Sequence, residues 1–437
     1  MVACNQFYFQ CRKFISKSCF NTKVKMETNN EIPEDLESLS KLELISIIKR
    51  LKTHNGKESN KIVKKPERAI FDFKRYKKRH IALKFLYLGW DYCGFAVQSH
   101  TEKTIEADLF NALLKTKLLE SRETSNYHRC GRTDKGVSAF SQVISLDLRS
   151  NLLEGKGIIT PEDFKEDMHK VSDKEIDYPA ILNRVLPDEI KVIAWAPVET
   201  SFSARFDCKR RTYKYWFPIG KLDIKKMQEG GSKLIGEHDF RNICKMDVGN
   251  GVVNYWRKIF SLDITVLNTS DDRPYELAEL TVVGQAFLWH QIRCIVSLLF
   301  LIGQGKEDCD IIDQLLDVEN FPRKPQYDMA SEIPLVLFET SYEDVEWIYN
   351  EECLKFVVKQ LQSMWTQQSV KTIIIRKMLN ELENMSSSKD VILNQAECLI
   401  PGVRSRIYKR LLDRPCCESL EEKIEHYSKK QKKNLNR

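Results

Sequence analysis

Between residues 141 and 149 the chain alternates without a break. Ile144, Leu146 and Leu148 fall on one side, and Ser145, Asp147 and Arg149 on the other. A period of two marks a half-buried strand. Further strand-like runs occupy residues 81–87, 190–195, 212–217, 259–266 and 279–283. Helical spacing follows Thr104, where Ile105, Leu109 and Leu113 share a face, and recurs at 222–227 and at 292–302, the latter closed by Gly303. Strands and helices mix without strict βαβ alternation, so the expected class is α+β with a mainly antiparallel sheet.

The chain has 437 residues, enough for about two to four domains. Hydrophobic residues at 42% and charged residues at 30% form an ordinary globular mixture and exclude wholesale disorder. The longest largely apolar run, 295–302, falls far short of the roughly 20 residues a membrane-spanning helix needs, so no membrane association is expected. Thirteen cysteines, an odd number with no C-x-x-C pair, indicate a reducing compartment and no structural metal site.

Net charge is only +7, but it is unevenly spread. Residues 1–26 carry five Lys/Arg and no acid, the composition of a mitochondrial presequence. Residues 35–51 have the spacing of a short amphipathic or coiled-coil helix, and 53–68 form a polar, lysine-rich linker. The run 64–80 holds eight Lys/Arg against Glu67 and Asp72, a solvated linker, an import signal or a phosphate contact. The expected organisation is an N-terminal tail (1–77), a first lobe (78–217) ended near Pro218 and a second lobe (218–345). A helical extension (346–437) follows, with a linker near 386–388 and a lysine-rich end; after Pro322 the chain reads as helical and charged.

Three segments concentrate unusual residues. In the first, Gly131-Arg132-Thr133-Asp134-Lys135-Gly136-Val137, two glycines bracket a carboxylate flanked by cations. Glycine allows close backbone approach, and neighbouring cations favour a carboxylate able to attack. On local grounds alone an ordinary Asp-Lys-Gly turn is the simpler reading. In the second, residues 202–215, five Lys/Arg oppose Asp207 and are interleaved with aromatics. Arg205 and Lys214 are candidates for phosphate contact, with aromatic faces able to stack on unpaired bases. Tyr213, Tyr215 and Phe217 share one strand face, where core packing is the alternative for each tyrosine. In the third, residues 284–296, Arg293 sits near the first turn of an apolar helix, where a cation opposes the helix dipole and needs a carboxylate partner. That partner is either structural or a catalytic acid.

Together the three segments resemble, in order, the motifs of TruA-type tRNA pseudouridine synthases, as does Leu234-Ile235-Gly236-Glu237-His238-Asp239-Phe240. Ser125 to Cys130, Phe240 to Val248 and Leu411 to Pro415 are most similar to the eukaryotic branch that modifies uridines 38 and 39 in tRNA numbering. The resemblance spans roughly residues 78–427. It implies two RRM-like lobes sharing one continuous antiparallel sheet with a central basic cleft, and a homodimer acting on the anticodon arm of tRNA. It also implies a nuclear and cytoplasmic enzyme, with a mitochondrial form if the basic N-terminus acts as a presequence. Asp134 then matches the attacking aspartate, Tyr213 the tyrosine that stacks on the flipped uracil, Arg293 the basic partner of the aspartate, and Arg132 the arginine of base flipping. Isomerisation needs glycosidic cleavage, base rotation and carbon–carbon bond formation, for which a carboxylate suffices with no metal or other cofactor. Attack at the ribose and attack at the base both remain open. The alternatives are a TruA-type synthase of other uridine specificity and a catalytically inactive tRNA-binding relative; intact Asp134, Tyr213 and Arg293 oppose the second. Trp289 stands where many relatives have a histidine, and Cys130 has no assigned role.

Overall fold

The computed structural model describes residues 71–168, 172–267, 275–386, 395–401 and 407–435. The basic N-terminal segment, the 35–51 helix, the 53–68 linker, the start of the 64–80 basic run and most of the 386–388 linker lie outside them. Residues from Phe71 onward form one unit built on a ten-stranded sheet.

Strand β1 (Lys77–Tyr87) is buried along most of its length because it has neighbours on both sides. It pairs antiparallel with β3 (Ser138–Ser150), from Lys77 opposite Ser150 to Tyr87 opposite Ala139. Its other edge takes β5 (Ile190–Pro197) and the short β4 (Ile158–Ile159), while β2 (His128–Arg129) adds to β3. The later half of the sheet runs β6 (Arg210–Pro218), β9 (Leu277–Gly284), β8 (Trp256–Leu267) and β7 (Gly236–Asp239), all antiparallel. One strand joins the halves. β10 (Leu335–Ser341) lies parallel to β3 and antiparallel to β6. This strand corrects the reading of the chain after Pro322 as helical: seven residues placed between two strands from elsewhere acquire partners that local sequence does not display.

β3 is also more buried than its alternation implies. Ser145 is fully buried, and its Oγ accepts from the backbone N–H of Ala204 at 3.1 Å. The face expected to meet water is covered instead by Ala196, Val198, Ala204 and Cys208.

Helix α1 (Ile105–Lys115) starts where Thr104 accepts from Ala107 N–H, as its cap requires. With α2 (Tyr178–Asn183) it covers the first core, centred on Leu83, Phe85, Ile144 and Leu146. Helix α3 (Ile224–Ser232) begins later than expected, because Asp223 accepts from Lys226 N–H and caps it. Helix α4 (Gln291–Gly303) is buried at every residue, and its Phe300 meets Tyr215 and Phe217 edge-on at 6.2 and 5.2 Å. Gly303 is the last residue of this helix, as expected, and packs against Met227; Gln304 caps it and Gly305 supplies the positive φ of +67° beyond. Helix α5 (Asp310–Leu316) follows. Tyr215 and Phe217 of β6 pack in the second core, whereas Leu337 of β10 packs in the first. Helix α6 (Glu351–Met385) is capped by Asn350 and lays Leu354, Val357 and Leu361 on Leu86 and Ile193; α7 (Leu420–Leu435) is the last helix among the described residues. Among the described residues no helix is long and apolar enough to cross a membrane.

Candidate active site

The glycine-bracketed segment connects β2 to β3 and is fixed from several sides. Thr133 is buried, with its hydroxyl 2.7 Å from the Tyr87 hydroxyl. Gln142 Nε2 donates to the Gly131 carbonyl at 3.1 Å, and Phe95 N–H donates to the Thr133 carbonyl at 3.1 Å. Val137 N–H donates to the Asp134 carbonyl at 3.2 Å, so the segment is the expected turn as well. Gly136 has φ +78°, and a Cβ there would lie 2.6 Å from Glu332 Cγ. Only glycine satisfies both constraints.

The turn leaves the Asp134 side chain 24% exposed. Trp289 Nε1–H donates to Oδ1 at 3.2 Å, and His290 Nε2 stands 3.4 Å from Oδ2. Burial raises the Asp134 pKa, opposed first by Arg293, then by the Trp289 hydrogen bond and Lys245, while Glu332 adds to the rise. This corrects the expectation that Arg132 and Lys135 set the state of the carboxyl. Both are exposed, and solvent screens them. The effective cations come from elsewhere in the fold.

His290 is held neutral. Burial lowers its pKa to about 3, helped by Arg293, Lys245 and Lys324, and its Nδ1 is buried without a hydrogen-bond partner. Its φ of +61° breaks the backbone just before α4 and carries Trp289 out to the surface.

Arg293 does have a carboxylate partner, and it is Glu332. The guanidinium donates from Nη2 to Glu332 at 2.8 Å and from Nε to the Ala330 carbonyl at 2.7 Å. It acts on Asp134 through its field, not through a direct hydrogen bond. Tyr213 sits on β6 opposite Val282 and Leu337, and its ring meets Phe287 edge-on at 5.3 Å. Burial pushes its hydroxyl pKa up, so the phenol is neutral.

The basic segment divides. Arg205 is exposed and its guanidinium lies 5.2 Å from the ring of Phe206, itself 73% exposed. Arg132 is exposed; burial lowers its pKa first, and the nearby charges of Arg129 and Arg205 lower it further. Arg211 is buried and serves the fold: its Nη2 donates to the carbonyls of Cys130 at 3.0 Å and Arg205 at 3.1 Å, and its Nη1 to that of Gln285. Strand alternation turns Lys214 away from Tyr213, onto Glu279 at 2.7 Å and over the ring of Phe338 at 4.4 Å. Lys214 therefore does not join the other candidate residues. Cys130 lies in the small core with Cys208 and Val143 behind this junction.

Sequence reasoning gave no role to Trp289, His290, Lys245 or Glu332. The first two lie within the third motif and Lys245 within the Phe240–Val248 stretch, whereas Glu332 lies in none; Lys245 and Glu332 meet the site only through tertiary folding. Among the described residues no group of His, Cys, Asp and Glu is arranged to hold a metal ion.

A carboxylate on the tight turn before β3, a buried arginine acting on it at a distance and a neutral tyrosine on β6, two strands away across β10, make up a carboxylate-centred site. A family model described as tRNA pseudouridine synthase matches residues 232–343. The chain is 46% identical over 429 residues to the tRNA pseudouridine(38/39) synthase of Homo sapiens, covering 93% of this chain and 87% of that protein. It is 37% identical over 379 residues to the protein of the same name from Saccharomyces cerevisiae, covering 84% of this chain and 81% of that one. The tRNA pseudouridine synthase A of Methanosarcina barkeri matches at 30% identity over 302 residues, covering 69% of this chain and 98% of that protein. The chain belongs to the tRNA pseudouridine synthase family, whose members are isomerases that take tRNA as substrate.

Proposed function

We propose that this chain isomerises uridine to pseudouridine at positions 38 and 39 in the anticodon arm of tRNA, with Asp134 as the attacking carboxylate. The observation that carries the proposal is the Asp134 side chain, held on a glycine turn between Trp289 and His290 and under the field of Arg293. The likeness to relatives named for positions 38 and 39 supports the choice of uridines.

In the reaction the N1–C1′ bond breaks, the uracil turns, and a C5–C1′ bond forms. C5 loses its proton and N1 gains one, so no external reactant is consumed. Asp134 carries the negative charge that assists bond cleavage. Tyr213, neutral and partly buried on β6, receives a face of the extruded base, and stacking offsets part of the unstacking cost of a few kcal/mol. Arg132 and Arg205 take the displaced backbone phosphates. Arg293 stabilises the aspartate through space while Glu332 keeps the arginine in place.

The two cores on either side of the Asp134 turn fit the two RRM-like lobes of TruA-type enzymes, with the cleft between them as the tRNA seat. A homodimer, and residence in nucleus and cytoplasm, belong to the same proposal. To test it, the purified protein is incubated with unmodified tRNA transcripts carrying uridine at 38, 39 or both, and pseudouridines are mapped by position. Conversion at 38 and 39 is expected; conversion only elsewhere overturns the positional assignment.

A further inference from the structure

Trp289 is placed where core packing does not explain it. Its neighbours Leu288 and Ile292 are buried, whereas the indole is 41% exposed. Two contacts nevertheless hold the residue. The Lys245 backbone N–H donates to the Trp289 carbonyl at 2.9 Å, and the Lys245 ammonium lies 4.2 Å from the indole centroid. A cation over an aromatic face is an attractive contact that fixes the plane of the ring. With the plane fixed, Nε1–H is aimed at Asp134 Oδ1 at 3.2 Å.

An indole N–H can only donate and does not titrate in the working range. It therefore offers Asp134 Oδ1 the same uncharged donor across the working pH range, whereas a histidine in the same place changes charge. His290 presents Nε2 to the other oxygen at 3.4 Å, and the two rings lie 4.7 Å apart. Both carboxylate oxygens thus face neighbouring rings from one dipeptide.

We infer that Trp289, clamped by Lys245, is the positioning residue that fixes the orientation of the Asp134 carboxylate for attack. The inference rests on Asp134 being the attacking group. It gives Lys245 a purpose in the site that does not require contact with RNA. Donation to the charged form also opposes the effect of burial on Asp134, in concert with Arg293 and Lys245 and against Glu332, with His290 neutral.

Trp289→Phe keeps an aromatic face for Lys245 and removes the donor together with the five-membered part of the indole. Trp289→His restores an N–H donor, from the neutral ring in the tautomer that faces Oδ1 and from the imidazolium at lower pH. These variants, Lys245→Met and Asp134→Ala are compared by kcat, KM and the pH profile of kcat on tRNA, with circular dichroism to confirm the fold. Loss of a hydrogen bond to a charged group predicts a fall in kcat of roughly 10- to 100-fold in Trp289→Phe. KM should stay within about twofold, and the acidic limb should move to higher pH. Trp289→His should recover much of the loss, and Lys245→Met should fall between. Unchanged kcat and unchanged acidic limb in Trp289→Phe, with Asp134→Ala inactive, overturns the inference and leaves the catalytic assignment standing. A loss confined to KM also overturns it, since that is the mark of an RNA contact. An active Asp134→Ala removes the catalytic assignment and this inference with it.

Discussion

The Asp134 carboxyl occupies a position where burial opposes its charge and two cations from distant segments offset this only in part. Burial wins, so its pKa lies above the ordinary aspartate value of about 3.9. The sign of the consequence follows directly. In the proposed reaction attack needs the ionised form, whose fraction falls as pH falls through the raised pKa. Activity should therefore show an acidic limb above the range of a free aspartate, and kcat measured against pH checks this. Glu332 contributes to the rise, so Glu332→Gln should move the limb to lower pH, provided Arg293 stays in place through its bond to the Ala330 carbonyl. A limb that stays fixed in Glu332→Gln would mean the Glu332 charge is not felt at Asp134. Arg211 makes a second test at this scale. It joins the carbonyls of Cys130, Arg205 and Gln285, which belong to three segments around the site. Arg211→Met leaves the buried Cys130 carbonyl and the part-buried carbonyls of Arg205 and Gln285 without their donor, and should destabilise the protein by about 3 kcal/mol in denaturant unfolding.

Among the elements, α4 bears most directly on the site, because it carries Arg293 near its start and packs Phe300 against β6. Removing that ring leaves a cavity under Tyr215 and Phe217, so Phe300→Ala should cost about 3–5 kcal/mol of stability, with kcat of the folded fraction much less affected. Thermal and chemical denaturation beside a single-turnover assay separates the two. Much of this level was legible in the sequence. The alternating and aromatic strands stand out because period two and β-branched or aromatic residues are local properties, and Thr104 announces α1 by its own chemistry. β10 was not legible, since its place depends wholly on β3 and β6. The half-buried reading of β3 failed for a similar reason: the loop covering Ser145 comes from residues 196–208, and alternation says nothing about what lies on top of a face. At the site, Asp134 and Tyr213 stand in recognisable motifs. Glu332 lies in no motif, so the partner of Arg293 became visible only once the chain was folded. Lys214 and Arg211 looked like their exposed neighbours because charge is visible in a sequence whereas direction is not.

On the scale of the whole molecule, the modest net charge of +7 matters less than which cations remain free for RNA. Arg205 and Arg132 are exposed beside the turn, whereas Lys214 is neutralised by Glu279. Binding of tRNA should weaken with salt, log K falling by about 0.7–0.9 per phosphate contact for each unit of log salt. Arg205→Ala should weaken binding and reduce that slope by about one contact, while Lys214→Ala should leave the slope unchanged. A titration of tRNA binding over a range of salt concentrations decides between them; a smaller slope in Lys214→Ala would return that residue to the RNA surface. The central claim is that a single carboxylate turns a tRNA-binding fold into an isomerase. Its most direct test is pseudouridine formation in tRNA by the wild-type chain and by Asp134→Asn, which keeps the side-chain shape and removes the charge. The account predicts conversion by the wild type without added cofactor and none by the variant, with tRNA affinity retained within a few-fold. Conversion by Asp134→Asn at the wild-type rate would contradict it.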